Sequence, residues 1–173
     1  MLVLAGCERT STKSDVISDP PEAFYPQVIV LLDQTGRWGG FKLEVEKVTA
    51  SVGREIRDIR LSVDVRYTNL GSEDLRQPDE VTFEFDGQSY PVDSPGQIEL
   101  PGNRFVDGPV PGGVTADGWI RGTLTGVAKS NPPSEEEMRA ILVKTQLVLG
   151  AAGTNRVVFR SRSANSAEHL PLR

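Results

Sequence analysis

The chain has 173 residues, enough for one domain with a substantial core plus a tail. Its hydrophobic content of 38% is lean, and 17 Gly with 12 Pro suit short strands and turns better than a helical bundle. The net charge of -5, with both signs interspersed, leaves no basic stripe and argues against a nucleic-acid partner.

One cysteine, Cys7, excludes a disulfide within these residues, and the one histidine, His169, sits in a polar C-terminal tail. Zinc sites of the usual Cys/His types lack ligands, and a Ser-His-Asp or Cys-His arrangement would depend on a terminal histidine. No apolar run approaches the roughly 18 residues a spanning helix needs.

Residues 1–7 end in Leu4-Ala5-Gly6-Cys7. Small residues before a cysteine are what a lipoprotein signal peptidase requires, so Cys7 is the expected lipidation site. A secretory signal also needs a basic region and a longer apolar stretch. Only six residues precede Cys7, so residues 1–7 are expected to be a truncated lipobox, with the true start further upstream or the start codon misplaced. The other reading is a chance apolar start with a free or buried thiol. Residues 8–23 are rich in Ser, Thr, Asp and Lys, end near Pro20-Pro21 and read as a disordered tether. Residues 24–162 form the expected domain, and 163–173 a tail.

Within the domain, Phe24 to Asp33 turns apolar and predicts a first strand, followed by a Gly-rich turn from Thr35 to Gly40. Phe41, Leu43 and Val45 alternate with Lys42, Glu44 and Glu46, the period of a half-buried strand. The clearest strand is Ile59 to Asn69, with Leu61, Val63, Val65 and Tyr67 inward and Ser62, Asp64, Arg66 and Thr68 outward. Val81 to Phe85 and Gln88 to Asp93 flank Asp86-Gly87, a strong hairpin signal. Pro91 then belongs at an edge or bulge, because it cannot donate to a ladder. Ser94 to Gly113, with four prolines, is expected to be the longest irregular stretch and hence a functional or mobile loop. Val114 to Val127 resumes as a strand, whose glycines imply a bulge or a close backbone approach.

Ser134 and Glu137 have capping-box spacing and predict a short helix to about Ala140. Ile141 to Leu149 fits either a helix face (Met138, Ile141, Leu142, Thr145) or a strand. The strand is preferred, with Arg156 to Ser161 as its hairpin partner. These elements amount to about seven or eight strands with turns every ten residues or so, the spacing of an all-β sandwich or barrel.

Three patches carry a resemblance. They are Val63-Asp64-Val65-Arg66-Tyr67-Thr68-Asn69, Phe83-Glu84-Phe85-Asp86-Gly87-Gln88-Ser89-Tyr90, and Pro111-Gly112-Gly113 running to Gly118-Trp119-Ile120. In this order and spacing the chain from Phe41 to Phe159 resembles the immunoglobulin-like domains of unknown function in bacterial lipoproteins, a superfamily that includes a secreted mycobacterial immunoprotective antigen. It departs from their pattern at Ser94 to Gly113 and around Ser134. The resemblance implies an immunoglobulin-like antiparallel β-sandwich with one short helical insert, held at the cell envelope. It transfers no catalytic residue.

The candidate chemistry is sparse. Asp86, Asp93, Asp107 and Asp117 lack the spacing of a calcium loop and read as turn-forming or solvated groups, so no metal or other cofactor is expected. Trp119, among apolar neighbours, is assigned to the core. Trp38, in the Gly-rich turn beside Arg37, is either an exposed binding aromatic or a plug at the sandwich end. Trp38, with Phe105, Val106 and Asp107 of the irregular stretch, makes up the candidate binding loop. The expected function is a lipid-anchored, non-enzymatic binding or scaffold domain facing the periplasm or exterior. Its partners would be the membrane, through a lipid on Cys7, and an envelope protein or peptide. The alternative is a peptidase inhibitor or small envelope hydrolase acting through residues 94–113.

Overall fold

The computed structural model describes residues 27–53, 55, 57–102, 104–150 and 156–161. The lipobox at Cys7, the 8–23 tether and the 163–173 tail with His169 lie outside them.

Strand β1 (Gln27–Trp38) and β2 (Phe41–Val52) form the first hairpin. The expected six-residue turn is only Gly39-Gly40, because Trp38 pairs directly with Phe41 and Gly39 takes the left-handed conformation (φ +56°) a tight turn requires. Ile29 and Leu31 point outward and are exposed, while Val28 and Leu32 are buried. Strand β2 carries a bulge between Val45 and Lys47. The extra residue there, Glu46, lets Glu46 and Lys47 both stay on the polar side and brings Val48 and Ala50 inward. Strand β3 (Ile59–Asn69) follows its predicted phase, with Leu61, Val63, Val65 and Tyr67 each at most 3% exposed.

Strands β4 (Val81–Phe85) and β5 (Gln88–Leu100) meet at Asp86-Gly87, both at positive φ as the hairpin signal requires. Strand β5 overturns the expectation of a long irregular stretch from Ser94. It runs on to Leu100 and is joined by β6 (Arg104–Val106), with Ile98 and Leu100 buried. Further along, Val110 is fully buried and bridges to Leu75 through a pair of backbone hydrogen bonds. The prolines do not prevent this because β5 changes partners along its length: Gln88 to Pro91 pair with β4, and Val92 to Glu99 with β7 (Thr115–Leu124). Pro91 sits at that change-over, and bulges follow it between Val92 and Ser94 and between Pro95 and Ile98.

Helix α1 (Glu135–Lys144) is one turn longer than expected, and β8 (Gln146–Leu149) correspondingly shorter. Met138, Ile141 and Leu142 bury one helical face, so the helical period wins up to Thr145. The Thr145 N–H and hydroxyl both donate to the Ile141 carbonyl and end the helix. Ser134 is the N-cap, accepting from the Glu137 N–H at 3.2 Å. The Glu137 carboxylate does not complete the capping box; it accepts from the Lys129 N–H and the Ser130 hydroxyl instead. Strand β9 (Val157–Arg160) pairs with β8 as the hairpin reading expects.

All pairings are antiparallel, in the order β1-β2-β3-β7-β5-β4-β8-β9, with β6 alongside β5. The all-β class holds, and the sheet curls into a nearly closed barrel. Its two ends meet where the Gln34 side chain bridges to the backbone of Arg160, accepting from its N–H at 3.0 Å and donating to its carbonyl. Gly36 permits that approach, since a Cβ there would lie 2.9 Å from the Phe159 ring. The inner faces of the strands and the apolar face of α1 enclose one core.

Candidate functional site

Strand β7 decides which side chains face solvent in the middle of the broad part of the sheet. Ala116, Gly118, Ile120, Gly122 and Leu124 point inward. Two of them lack side chains for a reason: a Cβ on Gly118 would meet the Tyr67 ring at 3.0 Å, and one on Gly122 the Phe83 ring at 2.9 Å. The glycines therefore mark close approach of core aromatics, one of the two readings their presence in a strand allows.

The same phase corrects the placing of Trp119. It is opposite Asp64, on the outer face, and only half-buried. Two apolar neighbours in sequence cannot both face one side of a strand, and Ile120 takes the core position. The Arg121 guanidinium carbon lies 5.0 Å from the centre of the Trp119 ring, a cation–π contact. Phe105 also packs against the indole, with ring centroids 6.2 Å apart at 57°. Phe105 remains 55% exposed, one of few large apolar side chains so exposed among the described residues. Strand β6 sets it there: Phe105 pairs with Glu99, which pairs with Asp117 of β7.

Of the candidate binding loop, Phe105 thus joins a surface aromatic pair, with Val106 partly buried against the core and Asp107 exposed beside it. Trp38 does not join them. It pairs with the buried Phe41, faces inward and packs half-buried against the core. Trp119 and Arg121 are the members of the surface that the candidate loop lacks. The signal for them was the small-residue alternation from Ala116 to Leu124.

The rest of the outer face divides in two. Toward one end the charges are satisfied across strands. Arg66 reaches Asp117 at 2.8 Å and Glu46 at 3.2 Å, and Lys47 reaches Asp64 at 3.1 Å. The hydrogen bond and charge of Asp117, then the charge of Glu46, raise the Arg66 pKa further. Toward the other end lies an open hollow enclosing about 1180 Å³, part of it bulk solvent. Its floor is polar: Thr49 and Ser51 from β2, Arg60 and Ser62 from β3, Arg121 and Thr123 from β7. The β5 bulge adds Asp93 to its wall. Among the described residues no three His, Cys, Asp or Glu side chains come together as a metal site. Asp86 forms the hairpin turn, and Asp117 pairs with Arg66.

The antiparallel, nearly closed, all-β sheet with a polar hollow and an aromatic pair on its outer surface is what comparison with known proteins must match. No family model matches the chain, and no curated protein does. Among solved structures it is similar to a conserved hypothetical protein from Bacillus anthracis, at 10% identity and a TM-score of 0.48, covering 78% of this chain and 97% of that one. It is also similar to a functionally unknown protein from Listeria monocytogenes EGD-e, at 12% identity and a TM-score of 0.49, covering 77% and 84% respectively.

Proposed function

We propose that this chain is a lipid-anchored, non-enzymatic binding domain of a bacterial envelope, immunoglobulin-like in fold and displayed on a lipid attached to Cys7. It engages an envelope partner through the outer face of β3, β7 and β6. The observation that carries the reading is Phe105, 55% exposed yet placed against the half-buried Trp119 by the pairing of β6 with β5. A solvent-facing aromatic pair whose rings already pack on each other offers apolar area at little entropic cost, which is what a contact anchor needs. The anchor is supported by Leu4-Ala5-Gly6-Cys7, and the polar 8–23 segment would separate domain from bilayer.

The anchor is tested with the chain expressed from its natural start. The wild type resists extraction of membranes with alkaline carbonate, whereas Cys7→Ala is extracted. Equal resistance of the two would remove the lipid from the account.

A further inference from the structure

We infer that the polar hollow beside the aromatic pair is a binding site for an anionic saccharide, whose acid group is held by Arg60 and Arg121. This deepens the envelope-binding reading and rests on it. Arg60 stands opposite Thr123 and Arg121 opposite Ser62, so the two arginines are diagonal neighbours on adjacent strands. At that separation, about 7–8 Å, two long side chains can converge on one oxyanion.

Neither guanidinium makes an ion pair or a hydrogen bond among the described residues, and neither does Asp93. This contrasts with the same face one step along, where Lys47 and Arg66 each pair with a carboxylate. Two cations with no carboxylate partner among the described residues line one hollow on a chain of net charge -5, where an anion would find complementary charge. The Arg121 guanidinium also lies over the Trp119 ring, which links the hollow to the aromatic pair.

The remaining floor distinguishes a saccharide from an acidic peptide. Thr49, Ser51, Ser62 and Thr123 offer hydroxyls that both donate and accept, as sugar hydroxyls require. Asp93 is an acceptor for a ligand hydroxyl but would repel a chain carrying a carboxylate on each residue. A peptide would also need pockets for apolar side chains, and no residue lining the hollow is of apolar type.

The test titrates full-length Cys7→Ala protein with tetragalacturonate, following arginine Nε–H and tryptophan indole NMR signals. Saturable binding that shifts the Arg60, Arg121 and Trp119 signals is expected. Affinity should drop about tenfold or more in each of Arg60→Gln and Arg121→Gln, and by a similar factor for the methyl-esterified tetramer. Both substitutions are at exposed positions, and circular dichroism melts matching the parent show that folding is unaltered. Unchanged affinity in the variants, equal binding of the ester, or equal binding of inorganic phosphate or a tetraglutamate peptide would overturn the inference. Loss of envelope sedimentation in Phe105→Ala but not in the arginine variants would overturn it while leaving the envelope-binding reading standing.

Discussion

Asn69 shows how one side chain can organise a turn that the strand pattern merely announces. It is 1% exposed. Its amide donates to the carbonyls of Glu73 at 2.7 Å and Val110 at 2.9 Å, and its oxygen accepts from the Gly71 N–H at 2.9 Å. The turn after Tyr67-Thr68 was legible because Asn and Gly end strands for local reasons. The bond to Val110 was not, since it spans 41 residues. Truncation would take the side-chain donor from the Glu73 carbonyl and one of two donors from the Val110 carbonyl, which keeps the Leu75 N–H. It would also leave the Gly71 N–H without its acceptor and a void at a buried position. Asn69→Ala should therefore lose about 2–4 kcal/mol, read as a lower urea midpoint at unchanged slope. Asn69→Asp should lose at least as much, because a carboxylate would face two carbonyl oxygens. A midpoint within error of wild type in both would show that the water-exposed turn, not the side chain, holds Val110 in place.

At the scale of elements, α1 departs from its expected length because a local ambiguity was resolved by packing. Ile141 to Leu149 satisfies both periods, and Met138, Ile141 and Leu142 find a core surface to bury against only as a helix. The N-terminus was legible in Ser134; the destination of Glu137 was not, because Lys129 and Ser130 precede the cap. The Ser130 hydroxyl, then the Lys129 N–H, lowers the Glu137 pKa below the ordinary carboxylate value. A carboxylate with a depressed folded-state pKa contributes stability that is present above its unfolded pKa, about 4.3, and is lost as pH falls through the folded value. Melting temperatures of wild type and Glu137→Gln should accordingly differ above about pH 5 and converge as pH falls below 4. A difference constant over that range would detach the carboxylate from the helix start.

The strands divide the same way. The phase of β3 could be read directly, since its inward side chains are large. That of β7 was obscured because Gly118 and Gly122 hold inward positions that Tyr67 and Phe83 fill. The long 94–113 segment read as loop because its prolines cannot donate to a ladder. Strand β5 accommodates them by bulging and by passing from one partner strand to another.

At the scale of the molecule, the all-β class followed from turn spacing and period-two patterning, whereas the curl of the sheet did not. Closure depends on contacts between β1 and β9, the two ends of the strand order, and no local pattern encodes them. The side chain of Gln34 takes the place of a ladder partner for Arg160. Gln34→Ala should therefore speed amide hydrogen exchange at Arg160 by about tenfold, the equivalent of one hydrogen bond of 1–1.5 kcal/mol, with little change in the centre of β3. Unaltered exchange at Arg160 would mean that β8 alone holds β9. The outer surface was legible in composition and opaque in arrangement. Single residues such as Phe105 and Arg121 can be read from the chain, but their meeting at Trp119 requires the register of β5, β6 and β7.

That meeting is the centre of the functional account, and sedimentation with isolated envelopes of the source bacterium tests it most directly. Full-length Cys7→Ala, freed of any lipid, should bind the envelopes saturably. The same chain carrying Phe105→Ala should bind about fivefold or more weakly while melting at the same temperature, since an exposed hot-spot aromatic contributes to contact and little to the core. Equal binding of the two chains would contradict the assignment of the β6–β7 outer face as the surface through which this domain works.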